Sequence, residues 1–288
     1  MSLRELGVKL GRRWRKWRCY YLLPRRVWER PLGVVVAVRN RSGQRVENFL
    51  QTLRRQTVPP EQVEIVVCDF GSEPDHARDI RARCARHGAR YIYTPDGPVW
   101  NKSRALNIAI QHTSPTAEFI LSTDIDLLFA PNFVETVLRV LTGYGPCLVL
   151  CQFRDLPAGA LRPETDLRAE FGRLCRMATW HDRSGTGGCQ AAPRAWFFRV
   201  RGYDERLRLW GGMDEDLLRR ARRDGLEPVW IHDRTALLHQ WHRRKWDFAQ
   251  DSPAQEALIR RYWEENHRLI AADPSIVRNR EGWGMGDS

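Results

Sequence analysis

LGVVVAV, residues 32–38, is a continuous apolar run dominated by β-branched side chains. It is too short for a typical helix and has no polar residue at alternate positions, so it reads as a strand buried on both faces in a parallel sheet. The flanking sequence keeps to that pattern. RVENFLQTLRRQT (45–57) has helical periodicity and is stopped by VPP (58–60). A second strand, VEIVVCDF (63–70), ends in the turn GSEPD (71–75), and an Arg- and Ala-rich helix leads to a third strand, ARYIYTP (89–95). The helix NKSRALNIAIQH (101–112) and the strand EFILSTDID (118–126) follow. Strands alternating with helices at this spacing predict an α/β fold with right-handed crossovers, whose ligands bind at the carboxyl ends of the strands.

From about residue 145 the rhythm loosens into CLVLCQFRDLPAGALRPETDL (147–167), a helix near 166–178 and a Gly-rich SGTGGCQAAP (184–193). This reads as a second lobe that closes over the first. The expected organisation is a basic N-terminal segment (1–30), an α/β lobe (31–145) and a second lobe (146–288), with no internal repeat or low-complexity segment.

With 288 residues, 42% of them hydrophobic, the chain can bury a sizeable core. No run approaches the roughly 18–20 apolar residues of a spanning helix, and the Arg-studded start lacks an apolar stretch with a cleavage site, so neither membrane spanning nor secretion is expected. Seven scattered cysteines without a CxxC pair argue against a disulfide framework or a thiolate zinc site and suit a reducing cytoplasm.

The net charge is +12, and residues 1–30 hold ten Lys or Arg against two Glu. The remainder is only moderately basic, which makes nucleic acid the less expected partner. In the same segment Leu3, Leu6, Leu10, Trp14, Trp17 and Tyr21 recur at helical spacing, while Arg12, Arg13, Arg15, Lys16 and Arg18 lie largely off that face. Such a helix suits an anionic membrane surface, and location at the inner face of a membrane is one expectation. Docking of the apolar stripe on the chain's own domain and phosphate binding are the other two.

STDIDLLFAP (122–131) puts Asp124 and Asp126 where an apolar strand runs out, with Ile125 directed to the opposite face. Two carboxylates so spaced can hold a hard divalent cation and a sugar hydroxyl together, although a strand followed by an acidic turn or a helix cap has the same appearance. LWGGMDEDLL (209–218) sets three acids, Asp214, Glu215 and Asp216, behind a Gly-Gly pair. Acids there also favour the amino end of a helix. LLHQWHRRK (237–245) adds His239 and His242.

Together these stretches resemble nucleotide-sugar glycosyltransferases of the GT-A fold. VVVAVRNR with VVCDFGSE looks like the opening strands of family 2, in which Arg39 and Asp69 would cradle base and ribose. NKSRALNIAI followed by LSTDIDLLFAP, then TGGCQAAPRAWFFRVRGYDERLRLWGGMDEDLLRR, is similar to β-1,4-galactosyltransferases. The resemblance spans roughly residues 33–245 and implies a mixed α/β sheet flanked by helices in one catalytic domain, with 31–145 binding the nucleotide sugar and 146–288 the acceptor.

By that resemblance Arg104 would face the diphosphate, Asp124 the ribose or sugar, and Asp126 a Mn²⁺ or Mg²⁺ ion. Either His239, which ends a short strand, or His242, which fits the spacing from the glycines, would be a further ligand. Asp214 would be the base of an inverting reaction, with Glu215 and Asp216 supporting a helix start. Gly187, Gly188, Gly211 and Gly212 would allow close sugar approach, and Trp210 would offer a flat face to a sugar ring or pack as core. Met213 departs from the family pattern, which has an acid there that helps bind the acceptor.

The expected function is thus metal-dependent, inverting transfer of a hexose or N-acetylhexosamine from a UDP-sugar to a glycan or lipid-linked hydroxyl. Protein or nucleic-acid acceptors are the alternative. A processive membrane synthase lacks its Gln-x-x-Arg-Trp motif here, RNRSGQR is a poor version of a nucleotidyltransferase loop, and a purely binding module would leave STDIDL, WGGMDED and HQWH without a purpose.

Overall fold

The computed structural model describes residues 3–24, 29–95, 99–181, 186–242 and 252–285. Ser184 and Gly185 of the Gly-rich stretch, and Arg243, Arg244 and Lys245 after the second histidine, lie outside the described residues, as does the side chain of Leu3.

Helix α1 (Leu3–Tyr21) precedes β1 (Leu32–Val38), α2 (Gln44–Arg54), β2 (Val63–Phe70), α3 (Pro74–Arg86), β3 (Arg90–Thr94), α4 (Lys102–Gln111) and β4 (Phe119–Asp124). Short β5 (Leu127–Phe129), α5 (Phe133–Gly143), β6 (Cys147–Leu150), β7 (Phe153–Asp155), α6 (Leu167–Met177), β8 (Thr179–Trp180) and β9 (Gln190–Pro193) come next. The chain continues through α7 (Arg194–Arg199), α8 (Met213–Arg223), β10 (Glu227–Trp230), β11 (Leu237–His239) and α9 (Pro253–Ala272).

Seven strands form one sheet in the order β10-β6-β9-β4-β1-β2-β3, and four form a smaller one, β5-β11-β7-β8. In the large sheet β1, β2, β3 and β4 run parallel, as do β10 and β6, whereas β9 is antiparallel to both β4 and β6. The architecture is the mixed, helix-flanked α/β sheet that the resemblance implies.

Every residue of β1 is buried, and its alternating side chains feed two separate cores. Val34, Val36 and Val38 pack with Val46, Phe49 and Leu50 of α2 and with Phe133, Val137 and Leu141 of α5. Val35 and Ala37 pack on the other face with Ala105, Leu106 and Ala109 of α4 and with Leu217 and Ala221 of α8. Burial on both sides is why the run lacks polar alternation. All seven cysteines are free thiols, six of them buried.

Helix α1 reverses one expectation. It docks on the body through its basic side: Arg12 and Arg15 pair with Glu227 at 2.6 and 2.8 Å, and Lys16 with Asp233 at 2.7 Å. Cys19 on that side is fully buried, against Gly143 of α5. The stripe of Leu6, Leu10, Trp14, Trp17 and Tyr21 faces outward, 38% to 57% exposed, so the apolar face is not buried on its own domain, and the contact it makes is at its end, where Arg234 lies over the Tyr21 ring. The acids available on the body select the cationic face instead. Among the described residues no helix is long and apolar enough to cross a membrane.

Candidate functional site

The strand register gathers the first acids. Val38 of β1 lies opposite Asp69 of β2, and Ala37 lies opposite Asp124 of β4, so both acids flank the carboxyl end of the same central strand. Half-buried Arg39 follows directly. Asp69 is fully buried, and its oxygens accept hydrogen bonds from the Ser72 N–H (3.0 Å) and the Tyr91 hydroxyl (2.8 Å). Asp69 thus holds the β2 turn and β3 together at the site's edge.

Asp124 meets Lys102 at the start of α4, with Nζ 2.5 Å from Oδ1. The Asn101 side chain caps this helix by accepting from the Arg104 N–H at 3.0 Å, which sets Lys102 in the first turn, aimed at the strand end. Burial opposes the Lys102 charge, but Asp124, Asp214 and Asp126 together hold its pKa above the ordinary lysine value. Sequence reasoning singled out Arg104, two residues on, and passed over Lys102. Its signal was its position beside a capping Asn at the amino end of the helix.

Beyond Asp124 the chain turns, burying Ile125 in the core and leaving Asp126 in the turn directly before β5. Antiparallel pairing of β5 with β11 sets Leu127 opposite His239, and the Gln240 N–H donates to the Asp126 carbonyl at 2.9 Å. These contacts hold both histidines beside the acid. Asp126 Oδ2 lies 3.7 Å from His239 Nε2 and 3.3 Å from His242 Nε2, the two nitrogens are 3.2 Å apart, and Arg41 Nη1 approaches the same oxygen at 3.4 Å.

One ligand atom from each of Asp126, His239 and His242 falls within 4.8 Å of the others. One carboxylate oxygen with two imidazole nitrogens is a donor set that can hold a divalent transition-metal ion. Behind them, parallel pairing of β11 with β7 brings His239 opposite Asp155, which accepts from His239 Nδ1 at 2.9 Å and from His181 Nδ1 at 2.8 Å. The proton on Nδ1 leaves Nε2 facing Asp126, the usual orientation for a metal-ligating imidazole. Burial works against a charged His239, yet Asp126 and Asp155 raise its pKa to about 9. Burial likewise opposes ionised Asp126, but the two histidines hold its carboxyl well below the ordinary range.

The three acids behind Trp210 divide. Asp216 is buried and bound to Arg220 at 2.8 Å and Arg278 at 2.7 Å, while exposed Glu215 pairs with Arg219 at 2.7 Å along the helix surface. Asp214, in the first turn of α8, faces Lys102 and Asp124. Burial pushes its carboxyl above the usual range and Asp124 adds to the shift, while Lys102 opposes it. Gln190 fixes the Asp214 backbone, donating to its carbonyl at 2.8 Å, and Gln190 is held in turn by the Tyr203 hydroxyl at 2.9 Å.

Gly187 leaves room for the Asp214 side chain: a methyl group there would lie 2.3 Å from Asp214 Oδ2. The neighbouring Gly188 accepts from the Thr123 hydroxyl at 2.8 Å through its carbonyl. Gly211 and Gly212 adopt φ of 94° and 84°, and a Cβ on either would strike α9, at Trp263 and Ile270. Asn266 of α9 clamps the loop, donating to the carbonyls of Arg208, half-buried Trp210 and Gly211 at 2.9, 3.1 and 2.9 Å. Sequence reasoning missed Asp155, His181, Gln190, Tyr203 and Asn266, each of which meets the site through a pairing made only in the folded chain.

The sequence profile of glycosyl transferase family 2 matches residues 33–204, and that of the N-terminal domain of galactosyltransferase matches residues 178–242. A validoxylamine A glucosyltransferase of Streptomyces hygroscopicus subsp. limoneus is 28% identical over 224 residues, 68% of this chain and 48% of that protein. The chain spans about half the length of the curated relatives it matches.

Among solved structures, the mannosyltransferase PcManGT from Pyrobaculum calidifontis in complex with GDP-Man and Mn²⁺ superposes with a TM-score of 0.54 at 21% identity, covering 83% of this chain and 66% of that one. S. aureus TarS 1-349 in complex with UDP-GlcNAc gives 0.59 at 15% identity, covering 84% and 66%. These two likenesses carry the fold. The family profile covers well over half of the sequence, from the first strand through the glycine turn, and the chain belongs to glycosyl transferase family 2.

Proposed function

We propose that this chain is a metal-dependent, inverting glycosyltransferase that moves a hexose or N-acetylhexosamine from a UDP-sugar to a hydroxyl of a glycan or lipid-linked acceptor. The observation that carries this reading is that Lys102 lies within the electrostatic reach of Asp124, of Asp214, a carboxylate whose pKa is raised, and of Asp126, the acid of the Asp126–His239–His242 cluster. The relatives' name, glucosyltransferase, supports a hexose, and the bound donors of the two fold neighbours support a nucleotide sugar.

On this reading Asp214 accepts the proton of the attacking acceptor hydroxyl. Its raised pKa brings it closer to the operating pH and makes it a stronger base than an exposed carboxylate. Asp126, His239 and His242 would hold Mn²⁺ or Mg²⁺, which when bound supplies positive charge to the departing diphosphate. Lys102 and Arg104 face the same charge from the amino end of α4, where the helix dipole adds to theirs. Asp124 binds the ribose or sugar, Arg39 and Asp69 border the base, and Trp210 with Gly188, Gly211 and Gly212 shapes the sugar pocket. Residues 31–145 would then serve the donor and 146–288 the acceptor, where Met213 replaces the family's acid.

The test is UDP release from a panel of UDP- and GDP-sugars with and without Mn²⁺, alongside thermal shifts with UDP plus Mn²⁺. Mn²⁺-dependent release from a UDP-sugar, lost in Asp126→Ala, is expected. Absence of release from every donor together with absence of a thermal shift would overturn the reading, and an α-configured product from an α-linked donor would overturn inversion.

A further inference from the structure

We propose that the outward face of α1 is a docking surface for an anionic lipid bilayer, contacted through Leu6, Leu10, Trp14, Trp17 and Tyr21. The first observation is orientation. Arg12, Arg15 and Lys16 are tied to Glu227 and Asp233, the Arg18 guanidinium donates to the Gly143 carbonyl at 2.8 Å, and Cys19 is buried between the helices. These contacts fix the rotation of the helix about its axis, so the opposite face is turned into solvent by the fold itself, with Arg234 of the body reaching its end to donate to the Tyr21 hydroxyl at 2.7 Å. Over its 19 residues it extends roughly 28 Å.

The second observation is what that face consists of. Trp14 and Trp17 stack with ring centroids 5.1 Å apart, and Trp17 meets Tyr21 at 5.4 Å. The outcome is a continuous aromatic and aliphatic strip on an exposed surface, where isolated apolar residues would be ordinary but a contiguous stripe marks an interaction site. Indole and phenol rings, apolar with one polar edge, favour the boundary between headgroups and acyl chains.

The third observation is charge. Exposed Lys9 and Arg13 border the stripe, Glu5 is the only acid in the helix, and the whole chain carries +12. Anionic headgroups complement that arrangement. A second copy of the chain does not, because the stripe from Leu6 to Tyr21 is centred near Arg13. Antiparallel pairing of two stripes would therefore set Arg13 against Arg13 with no acid to compensate.

Vesicle binding is independent of catalysis and is tested on the full chain by co-sedimentation with phosphatidylcholine vesicles, with and without phosphatidylglycerol. The wild-type chain is expected to bind the anionic vesicles, less at high salt. Trp14→Ser/Trp17→Ser is expected to weaken binding at least ~10-fold with an unchanged melting temperature, since both rings are outward. Lys9→Glu/Arg13→Glu, which leaves the stripe intact, is expected to abolish the preference for anionic over neutral vesicles. Failure of the wild-type chain to bind anionic vesicles, or undiminished binding by the Trp variant, overturns the proposal. A wild-type dimer that the Trp substitutions convert to monomer, with no vesicle binding, assigns the face to a second copy and overturns it equally.

Discussion

Gly187→Ala isolates the placement of Asp214 from its chemistry. Gly187 lies in the short 3-10 turn Thr186–Gly188, and its φ is not in the left-handed region, so an alanine backbone is permitted there. The added Cβ, however, would stand 2.3 Å from Asp214 Oδ2 and 2.7 Å from its Cγ, where ordinary contact begins near 3.4 Å. The carboxylate must move by about 1 Å, the scale of misplacement that costs about 100-fold in rate. It cannot retreat along the backbone, because α8 and the Gln190 bond to its carbonyl hold the main chain. A short side chain can still swing, so the stability cost belongs at the low end of overpacking, about 1 kcal/mol.

The measurements are kcat/KM for UDP release and ΔG from urea unfolding, each in the Asp214 and the Asp214→Ala backgrounds. In the second background the clashing atoms are gone, and Gly187→Ala should then change neither quantity. Wild-type kcat/KM in Gly187→Ala, or an equal stability loss in both backgrounds, would refute the reasoning.

Lys102→Met removes the charge that opposes the raised pKa of Asp214, so the acid limb of the pH–rate profile should move to higher pH; a limb that stays put removes Lys102 from the base's surroundings. Asp155→Ala takes away the acceptor that fixes His239 and should weaken Mn²⁺ binding by about 10–100-fold in calorimetry while leaving the fold intact. Because the folded pKa of His239 is raised from 6.5 to about 9, its pairing contributes stability that is complete below about pH 6.5 and is lost as pH rises through about 9. The melting temperature of the chelator-treated protein should therefore fall across that window, and His239→Gln should flatten the fall. Arg278, buried between Asp204 and Asp216, should cost about 3–5 kcal/mol as Arg278→Met in urea unfolding, since two buried carboxylates lose a partner.

Much of the candidate site was legible because it sits next to unmistakable strands. The apolar runs 32–38 and 63–70 end where Asp69 lies, and the strand ending at Asp124 is read from its own apolar residues. The helix dipole alone treats Asp214, Glu215 and Asp216 alike, since all three lie in the first turn of α8, and it was the family resemblance that singled out Asp214. What could not be read locally was which side chains meet. Lys102 and Arg104 are both basic residues of the same helix, and only the docking of α4 on β1 and β2, beside β4, decides that Lys102 reaches Asp124.

The sequence by itself determined the alternation of strands and helices, the two-sided burial of the central strand and the amphipathic pattern of α1, because these depend on periodicities of two and 3.6 residues written along the chain. Only the tertiary structure decided that β11 lies between β5 and β7, which brings His239 between Asp126 and Asp155, and that Asn266 reaches back to the glycine loop. It also decided which face of α1 points outward. The periodicity defines two faces, but the acids at Glu227 and Asp233, more than 200 residues away in the chain, select the one that docks. Such choices depend on the register between segments distant in sequence, and no local pattern encodes that register.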